Sequence, residues 1–142
     1  MKAVLGLRAV EAELPRLVEF AEKFSWRVGL PDTERARLLI ILEELFTNTV
    51  RYGYSVGASG GRIKVALAAT PGRIEIDFSD DGAPFDPLAQ GSPDFDRPPA
   101  DRPVGGLGLH LLRSLVDEAR YRREGGRNHL SLVCKLDRPG RG

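Results

Sequence analysis

From Leu38 to Tyr54 the chain reads LLIILEELFTNTVRYGY, and its apolar residues recur at helical spacing. With each residue advancing about 100°, Leu38, Ile41, Leu42, Leu45, Thr49 and Tyr52 fall within one broad stripe. Glu44 and Asn48 are one turn apart, so their side chains stand one above the other at the edge of that stripe. An acid and an amide there face the cleft that the helix borders. A charged helix shoulder with an Asn nearby is the plainer reading, and for this stretch by itself the weightier one. Asn is nevertheless a poor residue for a helix interior, and two later stretches supply a reason for it.

Around this helix the chain divides into short elements. Residues 2–9 are apolar-rich, interrupted by Gly6, and suit an edge strand. From Glu11 to Val28 the positions Leu14, Leu17, Val18, Ala21, Phe24 and Val28 predict a helix, with Pro15 tolerated in its first turn and Gly29 as its stop. Pro31, Asp32 and Thr33 open the next helix, Asp32 or Thr33 acting as cap, and it runs to about Tyr54. Residues 55–61 read as a loop. Ile63, Val65 and Leu67 then alternate with Arg62, Lys64 and Ala66, and Ile74, Ile76 and Phe78 with Arg73, Glu75 and Asp77. Pro71 and Gly72 between them suit the centre of a type II turn, which predicts an antiparallel pair with one buried face.

After Ser79 the alternation stops. Residues 80–104 hold six prolines, and an internal structureless segment of this length reads as a functional lid, here over 83–104. Gly105, Gly106, Leu107 and Gly108 lead into an apolar helix from Leu109 to Val116. Two strands close the chain, near Ala119–Arg123 and His129–Leu136, with Gly125 and Gly126 turning between them. The last six residues read as a frayed tail. No linker divides the 142 residues, so they are taken as a single domain, 1–142.

Composition excludes several functions. With 21 basic and 20 acidic residues there is no electrostatic footprint for nucleic acid or a membrane surface. Cys134 is the one cysteine, which rules out a disulfide framework or a cysteine metal cluster. No run is long and apolar enough for a signal-peptide core or a membrane span, so the cytoplasm is the expected compartment. His110 and His129 read as ordinary histidines.

Two further stretches carry chemistry. In Asp80-Asp81-Gly82 a carboxylate at a strand end can accept a hydrogen bond from an exocyclic amine such as adenine's, while the glycine lets a flat ring approach the backbone. A hairpin turn is the rival reading, weakened because no strand follows. In Gly105-Gly106-Leu107-Gly108 the glycines allow backbone N–H groups to wrap an anion at a helix N-terminus. The Lys-Ser or Lys-Thr of a P-loop is lacking, as is the βαβ unit of a dinucleotide fingerprint.

In order and spacing, Glu44-x-x-x-Asn48, Asp80-x-Gly82 and Gly106-x-Gly108 resemble the N, G1 and G2 boxes of the GHKL ATPase superfamily. EELFTNTVRYGY, DDGAPFDP and GGLGLHLLRSLVDE resemble its anti-sigma-factor serine kinase branch, over roughly residues 10–136. The resemblance implies an α+β fold of the Bergerat type, a two-layer α/β sandwich with a mixed, mainly antiparallel sheet and helices on one face. It implies ATP and Mg²⁺ as cofactors. Glu44 would be the general base and Asn48 the metal ligand. Asp80 would bind the adenine amine beside Gly82, and Gly105, Gly106, Leu107 and Gly108 would close on the phosphates. The implied function is an ATP–Mg²⁺-dependent serine/threonine protein kinase acting as an anti-sigma factor or partner-switching regulator. Its partners would be a STAS-type antagonist protein and a sigma factor, with a homodimer as a further expectation. The alternatives are a nucleotide-dependent binding module without phosphotransfer and a histidine-kinase-type catalytic domain acting in trans. The chain departs from the branch at Tyr52, where some relatives carry His. It departs again at Val104 and Gly105, where a basic residue is common and where Arg97 or Arg102 would have to substitute.

Overall fold

The computed structural model describes residues 1–54, 60–89 and 112–136. The expectations for Gly105, Gly106, Leu107 and Gly108, for most of the 83–104 segment and for the tail lie outside the described residues.

Five strands form one sheet: β1 (Lys2–Arg8), β2 (Arg62–Thr70), β3 (Arg73–Asp80), β4 (Glu118–Glu124) and β5 (Arg127–Lys135), in the spatial order β1-β2-β3-β5-β4. All four pairings are antiparallel, and no parallel pair occurs among the described residues. The turns explain this. Gly72, with φ of 78°, closes the Thr70–Arg73 hairpin in the conformation a type II turn needs at its third residue. Gly125 and Gly126, with φ of 61° and 73°, make the two-residue turn between Glu124 and Arg127.

Alternation decides which face is covered. Ile63, Val65 and Leu67 of β2, Ile74, Ile76 and Phe78 of β3, and Leu130, Leu132 and Cys134 of β5 are all buried. Helices α1 (Leu14–Val28) and α2 (Asp32–Tyr52) supply the second layer through Leu17, Ala21, Phe24, Leu38, Ile41, Leu42, Leu45 and Phe46. Residues 112–115 are helical and add Leu112 to the same core. Burying each such aliphatic side chain contributes about 1.5–3 kcal/mol.

Three local expectations are corrected. Glu11–Glu13 is a 3₁₀ turn, and the α-helix begins at Leu14. Glu13 is drawn back to accept bonds from the Arg8 N–H at 3.0 Å and from Arg16 at 2.8 Å. Pro31, not Asp32 or Thr33, is the N-cap of α2, with no side-chain cap bond, while Asp32 pairs with Arg35 at the surface. Tyr52 is exposed, and its expected place in the buried stripe is taken by Phe46, which faces α1. Helix α1 ends as expected at Gly29, which is left-handed at φ 69°.

Candidate functional site

On β3, Asp80 shares the parity of Ile74, Ile76 and Phe78, so its carboxylate turns toward the helix layer at the strand's end and is 7% exposed. The Gly82 N–H donates to its Oδ1 at 2.9 Å, and the Asn128 side-chain amide donates to the same oxygen at 3.0 Å. Among the described residues no donor occupies Oδ2. Oδ2 is thus the carboxylate oxygen left, among the described residues, to accept from a ligand donor.

Gly82 is required by space. A Cβ there would stand 2.5 Å from the Gly53 carbonyl oxygen and 3.0 Å from Asp80 Oδ1. Gly53 caps the C-terminus of α2, and its carbonyl accepts the Ala83 N–H at 2.9 Å. The end of the Glu44–Asn48 helix is therefore bonded directly to the Asp80–Gly82 turn. At 1.5 Å per residue, Asn48 lies roughly 7 Å up the helix from that junction.

Asn48 is buried and Glu44 half-buried. The Asn48 amide nitrogen donates to the Glu44 backbone carbonyl at 2.7 Å and reaches the Glu44 carboxylate at 3.5 Å. Both bonds use the amide nitrogen, so the side-chain oxygen is the atom left to meet a cation. Among the described residues no three His, Cys, Asp or Glu side chains cluster to cage a metal. One amide oxygen beside one carboxylate fits Mg²⁺, which keeps waters and substrate phosphates in most of its coordination positions.

A neighbouring carboxylate has a different task. Asp81 Oδ1 accepts the Tyr54 hydroxyl at 2.6 Å and the Arg62 N–H at 2.9 Å, pinning the chain beyond α2 to the start of β2. Partial burial pushes Asp81 up, but the Arg62 N–H and the Tyr54 hydroxyl outweigh it and hold the carboxyl below its ordinary range. Tyr54 is correspondingly pushed well above the ordinary phenol value, first by burial and then by its bond to Asp81.

Sequence reasoning missed the residues that brace this turn from β4 and β5. Asn128, 6% exposed, also donates to the Ala83 carbonyl at 2.8 Å, and accepts from the Phe85 N–H at 3.2 Å and the Tyr121 hydroxyl at 2.6 Å. Arg123 donates to the Gly82 carbonyl at 2.8 Å. An Asn between Arg127 and His129 carries no signal of its own. The Asp80–Asn128 pairing in the β3–β5 register is what would have revealed it. A groove of about 690 Å³ between α1 and α2, lined by Leu14, Val18, Phe46 and Val50, is separate from these residues.

A family model described as the histidine kinase-like ATPase domain matches residues 7–134. The serine/threonine-protein kinase BtrW of Bordetella bronchiseptica is 32% identical over 110 residues, covering 75% of this chain and 77% of that protein. The serine-protein kinase RsbW of Staphylococcus epidermidis is 36% identical over 91 residues, which are 61% of this chain and 57% of that one. This chain thus matches little more than half the length of the staphylococcal relative. Among solved structures, the RsbU and RsbW domains of a Mycobacterium tuberculosis protein superpose with a TM-score of 0.68 at 22% identity, over 99% of this chain and 34% of that one, which shows the shared fold. With a family model spanning both helices and nearly all of β2 to β5, the chain belongs to the histidine kinase-like ATPase domain family.

Proposed function

We propose that this chain is an ATP–Mg²⁺-dependent serine/threonine protein kinase of the GHKL type, working as an anti-sigma factor or partner-switching regulator. The observation that carries the reading is Asp80: a buried carboxylate whose two donors among the described residues share one oxygen, placed where α2 meets the sheet. The two relatives named as serine or serine/threonine protein kinases support the reaction class.

Asp80 accepts the adenine amine through Oδ2, beside Gly82, whose lack of a side chain lets the α2 terminus pack against the turn. Asn48 holds Mg²⁺ through its side-chain oxygen, and the bound ion supplies neutralisation of phosphate charge. Glu44, one turn away, takes the proton from the attacking serine or threonine hydroxyl. This division suits phosphoryl transfer, which asks the protein mainly to position groups and to stabilise charge. Gly105, Gly106, Leu107 and Gly108 close on the phosphates and 83–104 covers the nucleotide; both assignments rest on the family resemblance. The partners are a STAS-type antagonist carrying the phosphorylated hydroxyl and a sigma factor, with a homodimer as the working assembly. The proposed setting is the cytoplasm; no described helix is long and apolar enough to cross a membrane.

Transfer of radiolabelled phosphate from ATP to an antagonist encoded nearby tests the proposal. Label on a serine or threonine, dependent on Mg²⁺, is the expected result. Nucleotide binding without transfer to any such partner would leave a binding module in the kinase's place.

A further inference from the structure

Asn128 has two amide hydrogens and two acceptor positions, and the structure uses all four. The hydrogens go to Asp80 Oδ1 at 3.0 Å and the Ala83 carbonyl at 2.8 Å, while the oxygen takes the Phe85 N–H at 3.2 Å and the Tyr121 hydroxyl at 2.6 Å. At 6% exposure it has no polar atom left to offer a ligand.

We propose that Asn128 is a positioning residue for purine selectivity: it orients the Asp80 carboxylate toward an amine-bearing base without touching that base. The inference rests on the reading of Asp80 as the adenine acceptor.

The geometry carries it in two steps. An amide can flip by exchanging its oxygen and nitrogen, which here would turn the oxygen onto the Asp80 carboxylate. The Phe85 N–H, which can only donate, and the Ala83 carbonyl, which can only accept, forbid that exchange, and the Tyr121 hydroxyl on β4 adds a third bond to the oxygen. The NH₂ group is thereby committed to Asp80. Asn128 and Gly82 then hold one carboxylate oxygen from two directions, which fixes the carboxylate plane and aims Oδ2.

Selectivity follows from that rigidity. An exocyclic amine donates to a fixed Oδ2. A purine with a carbonyl at the same position sets acceptor against acceptor and leaves a buried oxygen without its bond. A carboxylate free to rotate and to draw in water tolerates the second base far better.

The test measures dissociation constants for ATP and GTP, each with Mg²⁺, by calorimetry on the full chain, with a thermal melt of every variant. Asp80→Asn should collapse the preference for ATP. If the wild type shows no preference, or Asp80→Asn keeps it, the adenine reading itself fails. Asn128→Ala should narrow the ATP-over-GTP ratio about tenfold, the worth of one hydrogen bond to a charged group. Tyr121→Phe removes only a hydroxyl on an edge strand and should narrow the ratio about threefold, so it decides the matter should Asn128→Ala fail to fold. A ratio unchanged in the folded variants, while Asp80→Asn collapses it, overturns the proposal. So does an equal loss of affinity for both nucleotides, which is what a merely structural role would give.

Discussion

Arg37 and Asp117 meet at 2.9 Å in the protein interior, 80 residues apart, with side chains only 8% and 11% exposed. The same guanidinium donates to the carbonyls of Leu115 at 2.5 Å and Lys135 at 3.1 Å and to Glu34 at 3.3 Å. It ties α2 to the end of the 112–115 helix and the end of β5. Arg37→Ala removes the cation and leaves buried acceptors behind. The expected loss is about 3–5 kcal/mol, or roughly 10–20 °C in melting temperature for a chain of this size. A thermal melt checks it, and a drop of only a few degrees would show that water takes the guanidinium's place.

Glu44 and Asn48 should fail in different ways. A positioned base contributes about 10²–10⁴-fold in rate and little to ground-state binding. Glu44→Ala should therefore bind ATP as the wild type does, or more tightly, and transfer phosphate that much more slowly. Asn48→Ala should lose Mg²⁺-dependent nucleotide affinity as well. Paired binding and single-turnover measurements separate the two, and transfer at the wild-type rate by Glu44→Ala would remove it from the reaction.

Gly82 and Gly6 provide a matched comparison. A Cβ on Gly82 would lie 2.5 Å from the Gly53 carbonyl, whereas one on Gly6 meets nothing within 4 Å. Gly82→Ala must part the α2 terminus from the Asp80 turn, costing about 1–3 kcal/mol and weakening ATP binding. Gly6→Ala should be neutral or stabilising by a few tenths of a kcal/mol, since it removes chain entropy without a clash. Equal melting temperatures for the two variants would contradict the packing described.

Asp81 predicts a pH response. Its folded carboxyl lies below the ordinary value, so the stability it contributes is fully present above the unfolded value of about 3.9 and is lost as pH falls through the folded value. Tyr54 is shifted the other way. Its contribution is fully present below the unfolded value of about 10 and is lost only at higher pH, as the folded value is approached. Between these limits the Tyr54–Asp81 link should be insensitive to pH. Asp81→Asn should flatten the acid limb of a melting-temperature profile, and a profile that superposes on the wild type would disprove the link.

Much of this arrangement was legible because it is local. The alternation in β2 and β3 and the Pro71–Gly72 turn fix a one-faced hairpin within 20 residues. Glu44 and Asn48 stand together because a helix repeats, whatever surrounds it. What escaped notice depends on contacts distant in sequence. Phe46 is buried because α1 lies against that flank of α2, whereas Tyr52, though in phase with the stripe, is exposed. Asn128 acquires its role from a register that sets it opposite Asp80, 48 residues earlier. Single-residue chemistry does not announce such a partner.

The parity of β3 has a consequence for how the site tolerates change in chain length. Ile74, Ile76, Phe78 and Asp80 fall on one side because the strand has a period of two. Deleting a single residue between Gly72 and Asp80 would swing the carboxylate to the open face of the sheet and carry Asp81 inward in its stead. Removing two would shorten the strand yet return an acid to the helix side. One deletion thus brings an acid inward but breaks the Asp80-x-Gly82 spacing through which the Gly82 N–H reaches the carboxylate, while two keep that spacing and draw it away from Asn128, so either should weaken nucleotide recognition even where the shortened hairpin still folds.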